Sequence, residues 1–188
     1  MLSEIELEFS QLKHRWKLFC ELYDKNEDVE LLNKSGAHIF GLFQKLVIDD
    51  AMLALCRITD PPKSCGKNNN SLNYHFEERK YEMDSSLKNE ILTLFESLNE
   101  SMKNIRHMRN LGISHSDYDI AVKRKSLPNI TYSEIEESIE LVGEILNKLF
   151  NTTGQYLPTT SGTAGKYLLK ILSEWHKIEK AKSGRTDV

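Results

Sequence analysis

Apolar side chains recur every three or four residues through most of this chain, and nowhere do they alternate over a useful length. Residues 3 to 23 carry Ile5, Phe9, Leu12, Trp16, Phe19 and Tyr23 at such steps, which predicts an amphipathic first helix. Asn26-Glu-Asp28 then breaks the pattern. A second helix over residues 29 to 58 is apolar on several faces, with Leu31, Ile39, Phe40, Leu42, Phe43, Leu46, Leu53 and Ile58. Such a helix sits at the centre of a bundle or lies across an interface between subunits. Gly36 and Gly41 weaken it locally and permit close helix approach.

Asp60-Pro61-Pro62 stops the second helix, because proline cannot continue the backbone hydrogen bonding. Lys63 to Asn70, rich in Lys, Gly and Asn, reads as a loop. A short helix is predicted from residue 71 to about 81. Asp84 caps the next one, where Leu87, Ile91, Leu94, Phe95, Leu98, Met102, Ile105 and Met108 form a regular stripe. Gly112 and Ser114-His-Ser-Asp117 mark its end, and residues 116 to 130 look irregular. Thr131-Tyr-Ser-Glu134 is a capping box opening a helix with Ile135, Ile139, Val142, Leu146 and Leu149 on one face.

The predicted class is therefore all-α: a bundle of about five main helices plus a short one, with residues 29–58 and 84–113 at its centre. Residues 1–150 form the bundle and residues 151–165, rich in Gly, Thr and Ser, form a linker. Residues 166–182 form a C-terminal amphipathic helix with Leu168, Ile171, Leu172, Trp175 and Ile178, and residues 183–188 a disordered tail. That last helix needs an apolar surface to cover, in its own bundle or on a second subunit.

Composition narrows the functional classes. A chain of 188 residues, 39% apolar and 28% charged, can bury one substantial core. No apolar run is long enough to span a bilayer, and the acidic start has no signal-peptide layout, so a cytoplasmic protein with no membrane partner is expected. Cys20, Cys56 and Cys65 form no C-x-x-C pair, and His14, His38, His75 and His176 have no metal-ligand spacing. No metal and no cofactor are expected. A net charge of −3 argues against a general nucleic-acid coat protein. The distribution is uneven, however. Between residues 103 and 125, six basic residues oppose two acidic ones, a net of +4 that leaves −7 for the remainder.

That basic stretch surrounds Arg109-Asn-Leu-Gly-Ile-Ser-His115, and the rest of the chain offers little competing chemistry. A guanidinium offers a fixed fork of donors to a phosphate, and an imidazole moves protons near neutral pH. Cleavage of RNA by its own 2′-OH needs both capacities. Arg109, Asn110 and His115 are the candidate catalytic residues, with Asn110 binding the phosphate or ribose or orienting the histidine. Lys103, Arg106, Lys123, Arg124 and Lys125 are candidate RNA-phosphate contacts. Asp117 orients His115 or sits in a polar turn, and His107 faces solvent. On a continuous helix Arg109 and His115 are separated by roughly 600° and about 9 Å of rise, so their side chains diverge. Either the helix ends at Gly112 and the chain folds back, or two copies pair so that one Arg109 approaches the other copy's His115. From spacing alone, a surface arginine plus a histidine favoured by the helix dipole competes with both. Asp50, Arg57 and Asp60 read as a structural polar network holding the second helix against its neighbours, with a supporting role beneath the cleft as the alternative.

The segment Arg109 to His115 resembles the R-φ4-x-H motif of the HEPN superfamily, where a polar residue commonly follows the arginine as Asn110 does here. The stretch from Asp49 to Lys63, ending in Arg57-Ile-Thr-Asp-Pro61, resembles the hallmark of the abortive-infection U-type branch. The likeness covers roughly residues 5 to 150. It implies a HEPN-like helical bundle, a homodimer with its motifs facing each other and, in active members, metal-independent cleavage of RNA. It also implies a toxin or phage-defence effector held in check by an antitoxin or other regulatory protein. Gly112 departs from the pattern, standing where many relatives carry a larger apolar residue. Some members only bind nucleotides or partners. A non-catalytic nucleotide- or RNA-binding module and a structural dimerisation protein are thus the competing expectations.

Overall fold

The computed structural model describes residues 3–113, 129–151 and 164–183. Among them are six α-helices: α1 (Glu4–Tyr23), α2 (Asn26–Ile58), α3 (Leu72–Arg79), α4 (Ser85–Met108), α5 (Tyr132–Phe150) and α6 (Ala164–Ser183). The fold is all-α. Most of the expected linker, the irregular segment after residue 113 and the tail lie outside the described residues.

α3, α4 and α5 begin where short polar side chains satisfy the first free N–H groups. The Ser71 hydroxyl accepts from the Tyr74 N–H, and the Asp84 carboxylate from the Leu87 N–H. Thr131 and Glu134 close the expected capping box at the start of α5. The Glu134 carboxylate accepts from the Thr131 N–H at 2.7 Å, the Thr131 hydroxyl at 2.9 Å and the Asn104 amide of α4 at 2.9 Å. These bonds, the Thr131 backbone first among them, hold its pKa below 4.5. A lowered carboxylate pKa makes the unfolded chain bind more protons, so this contribution is complete above pH 4.5 and disappears as pH falls through the folded value. Glu134→Gln should accordingly flatten the acid limb of a melting-temperature profile while leaving its slope near neutrality unchanged. Thr131→Ala, which removes the cap itself, should cost about 1 kcal/mol in a urea melt at pH 7.

α2 differs from its expected form at both of its early landmarks. It starts at Asn26, because Asn26, Glu27 and Asp28 suit the positive end of a helix dipole and the break is confined to the two residues before them. It then kinks at Gly36, where the backbone leaves helical geometry (φ 168°, ψ 65°). The loop after α2 contains the smallest of hairpins, β1 (Lys63–Ser64) against β2 (Lys67–Asn68). Its turn places Cys65 at φ 49° and Gly66 at φ 77°, the positive values that a two-residue hairpin loop demands. Asn69 ties this hairpin down, donating to the Pro61 carbonyl at 2.7 Å and accepting from the Ser64 hydroxyl at 3.0 Å.

The chain divides into two compact units, each drawn from separate stretches of sequence. The first comprises residues 1–13 and 49–157, and holds α3, α4, α5, the opening turns of α1 and the end of α2. Its core joins Ile5, Phe9 and Leu12 to Leu55, Ile58, Ile91, Leu98, Met102, Ile105, Val142 and Leu146, all fully buried. α4 and α5 lie together along much of their length. Between them the Ser101 and Ser138 hydroxyls share a 2.9 Å hydrogen bond, and Lys148 donates to Glu90 at 2.6 Å. The second unit comprises residues 14–48 and 158–188. There Trp16, Phe19 and Leu32 are buried, the Tyr23 hydroxyl donates to the Phe40 carbonyl at 2.8 Å, and α6 enters through Gly165, whose N–H donates to Glu21 at 3.0 Å.

Candidate active site

The last turn of α2 is braced from three sides. Thr59, buried, donates its hydroxyl back to the Leu55 carbonyl at 2.7 Å. The Asn73 side chain of α3 donates to the Thr59 and Asp60 carbonyls at 3.1 and 3.0 Å, satisfying backbone acceptors that the helix end leaves open. From α4, Arg106 donates to the Thr59 carbonyl at 2.8 Å and to the Thr59 hydroxyl oxygen at 2.7 Å. Proline at 61 and 62 ends the helix, and its freed carbonyls become the seat for a cation.

Asp60 projects between Arg106, in the last turn of α4, and Arg109, just past its end. One carboxylate oxygen stands 3.8 Å from Arg106 Nη1 and 3.6 Å from Arg109 Nη2. Arg109 also donates to the Asn110 amide oxygen at 2.9 Å. Beneath them lies Cys56, whose thiol is pushed up by burial against the opposing pull of Arg106 and Arg109. Both guanidiniums remain about a third exposed, at 32% and 33%. The two arginines nonetheless differ in commitment. Arg106 is engaged with backbone, hydroxyl and carboxylate at once. Among the described residues, Arg109 meets only Asp60 and Asn110.

Where the sequence pattern ran the fourth helix on to Gly112, the structure ends α4 at Met108 and widens into a π-helical turn, Arg109–Ile113. The Arg109 N–H is shared between the Arg106 and Ile105 carbonyls as the ladder changes register. Such widened turns gather at functional sites, because the extra residue per turn re-aims side chains that a regular helix would carry elsewhere. Arg109 and Asn110 open this turn.

The remaining expected site residues are distributed as follows. Lys103 is exposed on α4 and pairs with Glu100. Arg57 reaches α1, donating to Glu8 at 2.9 Å, and does not meet Asp60. Asp50 is half-buried two turns earlier on α2. His107 is exposed. His115, Asp117, Lys123, Arg124 and Lys125 lie outside the described residues. Sequence reasoning missed Thr59 and Asn73. Thr59 carried a signal, a hydroxyl residue immediately before Asp60-Pro61, whereas nothing local distinguishes Asn73. No group of three or more His, Cys, Asp or Glu side chains among the described residues stands close enough together to hold a metal ion.

Arg106 was expected to touch RNA phosphate, and the observed bonds give it structural work. Replacing it with Met leaves the Thr59 carbonyl and hydroxyl short of a charged donor. Arg106→Met should therefore cost about 1.5–3 kcal/mol in chemical denaturation. A loss below about 0.5 kcal/mol would mean the bonds to Thr59 contribute little.

An all-helical chain with an arginine pair clamped to the end of its second long helix is the class that fold and site define. The family model HEPN_AbiU2, described as AbiU2, matches residues 1–159, and the chain belongs to this family, the Abi U-type branch of the HEPN superfamily. No curated protein and no solved structure matches it.

Proposed function

We propose that the protein is a metal-independent endoribonuclease of HEPN type, acting in the cytoplasm as a toxin or phage-defence effector under the control of an antitoxin or regulatory protein. The observation that carries this reading is the placement of Arg109. It opens a π-helical turn, is a third exposed, and is steadied by Asp60 and Asn110 in a chain of the AbiU2 family. In the proposed reaction a ribose 2′-oxygen bonds to the adjacent phosphorus and the bond from phosphorus to the 5′-oxygen breaks. A base takes the 2′-OH proton and an acid returns one to the leaving 5′-oxygen, work suited to the imidazole of His115. Arg109 neutralises charge growing on the non-bridging oxygens, and Asn110 holds its guanidinium. Two copies related by a two-fold axis supply both motifs to a shared groove.

A second reading is binding of RNA or nucleotide without cleavage. It is favoured by Asp60, whose carboxylate offsets part of the positive charge on Arg106 and Arg109. Incubating the purified protein with RNA in EDTA separates the two. Products ending in 2′,3′-cyclic phosphate support the ribonuclease. Retention of intact RNA on the protein supports the binding module.

A further inference from the structure

We infer that the outer face of α6 is a docking surface for an anionic lipid bilayer, on which the helix lies flat among the headgroups. This inference goes beyond the ribonuclease reading and holds whether or not the protein cleaves RNA, since α6 and Arg109 belong to different units. None of the described helices is long and apolar enough to cross a membrane. A helix lying in the interface needs no spanning run, the feature on which the expectation of no membrane partner rests.

α6 is held from one side. Gly165 and Leu169 are buried, the Gly165 N–H donates to Glu21, and His176 meets Ser35 at 3.0 Å. On the other side Tyr167, Ile171, Trp175 and Ile178 are between 48 and 65% exposed. On a regular helix these four fall within about 80° of one another, a single apolar stripe. Leu168 stands three residues before Ile171 and seven before Trp175. It is a wall of an apolar groove of about 330 Å³, with Leu18, Leu22, Ile39 and Phe43 among others, so the groove opens beside the stripe.

Charge selects the occupant. Five lysines oppose two glutamates in α6, a net of +3 that leaves −6 for the remainder of the chain. Glu174 and Glu179 pair with Lys177 and Lys182, so the excess rests on Lys166, Lys170 and Lys180. With Lys177 these form a row within about 80° along one edge of the stripe. Lysine stems lie along apolar surface and carry their ammonium groups outward, here toward lipid phosphates and carboxylates. An anionic surface attracts this row and repels the acidic balance of the chain. The stripe fits the same surface. Tyr167 and Trp175, apolar bodies with one polar handle, suit the boundary between headgroup and acyl chain. Ile171 and Ile178 suit hydrocarbon and offer no ring on which a nucleobase could stack.

The test uses the full chain and vesicles of phosphatidylcholine, alone or with about 30% phosphatidylserine. The protein should co-sediment with the anionic vesicles, and raising salt from about 50 to about 500 mM should weaken that binding. Trp175 provides a direct readout, because the other tryptophan, Trp16, is only 5% exposed. Emission should shift to the blue on binding, and lipids brominated in the acyl chain should quench it. Lys166→Gln combined with Lys170→Gln should weaken vesicle binding by at least about tenfold, since each lysine near such a surface contributes roughly fivefold. Ile171→Glu, which puts a charge into the stripe, should weaken it by at least about tenfold as well. All three positions are exposed, so both variants should keep the wild-type melting temperature. A wild-type chain that ignores anionic vesicles at about 50 mM salt overturns the inference, whether the face then holds RNA, another protein or a second copy. Binding that both variants retain at unchanged affinity also overturns it, placing the lipid contact elsewhere and leaving the ribonuclease reading intact. If RNA cleavage fails while the vesicles bind and the substitutions release them, only the ribonuclease reading falls.

Discussion

On the proposed ribonuclease reading, His115→Ala should slow RNA cleavage by roughly 10²–10⁴-fold while RNA binding is largely kept, the range over which a positioned general acid or base acts. Arg109→Ala should abolish cleavage, with a different signature. On the same reading it removes the donor fork from the phosphate, so RNA binding should weaken as well, and more so at low salt, where each phosphate contact carries more free energy. The local surroundings sharpen the contrast. Arg109 is held at 3.6 Å by Asp60 and at 2.9 Å by Asn110, so its truncation leaves the Asp60 carboxylate with only Arg106 of the pair to offset its charge. Arg109→Lys keeps the charge and loses the planar fork, and should restore binding better than rate. Thermal melts of each variant separate lost chemistry from lost structure. A folded His115→Ala protein that cleaves as fast as wild type would remove the histidine from the mechanism.

Phe9→Ala lowers stability by about 3–5 kcal/mol, the cost of a large buried side chain and the cavity it leaves. Phe9 is fully buried on α1, and its ring lies against α5 at Gly143. A β-carbon built at Gly143 would stand 3.1 Å from the ring's Cζ and 3.3 Å from a Cε, so the glycine there makes room for the aromatic edge. Gly143→Val alone should therefore overpack the contact and cost about 1–3 kcal/mol. Combined with Phe9→Ala, the added methyl groups enter the vacated space. The double variant should be more stable than the sum of the two losses by at least about 0.5 kcal/mol in a urea-denaturation cycle. Strict additivity would mean that the two positions do not share a cavity.

What could be read in the chain was whatever its neighbours in sequence determine. The stripe from Ile91 to Ile105 and the caps at Asp84 and Thr131 depend on spacing and on bonds three residues long, and they stand as expected. The kink at Gly36 was not legible, because glycine within a helical pattern signals only lowered propensity. Nor was the π-helical turn, which changes one hydrogen-bond register without changing residue type. For the candidate site, Arg109 and Asn110 were proposed from a motif. The grip of Arg106 on Thr59 spans 47 residues, and that of Arg57 on Glu8 spans 49. Both pairings follow from which helices pack together, and no local pattern encodes that. Asp60 was read with Asp50 and Arg57 as holding the second helix against its neighbours, and the partners it meets there, Arg106 and Arg109, are ones no local pattern names.

The discontinuous make-up of the two units bears on how the chain emerges from a ribosome. Residues 14–48 are synthesised early, yet their unit includes α6, at residues 164–183. Until α6 has left the exit tunnel, the part of residues 14–48 that it meets, around Glu21, Leu22 and Ser35, stays uncovered. The first unit, by contrast, draws all its described helical segments from residues preceding α6 and is free to consolidate earlier. Completion of the second unit thus waits for residues 164–183 to be synthesised. A ribosome stalled before residue 164 would hold a nascent chain with an unfinished, adhesive half, which is where a chaperone would find its grip.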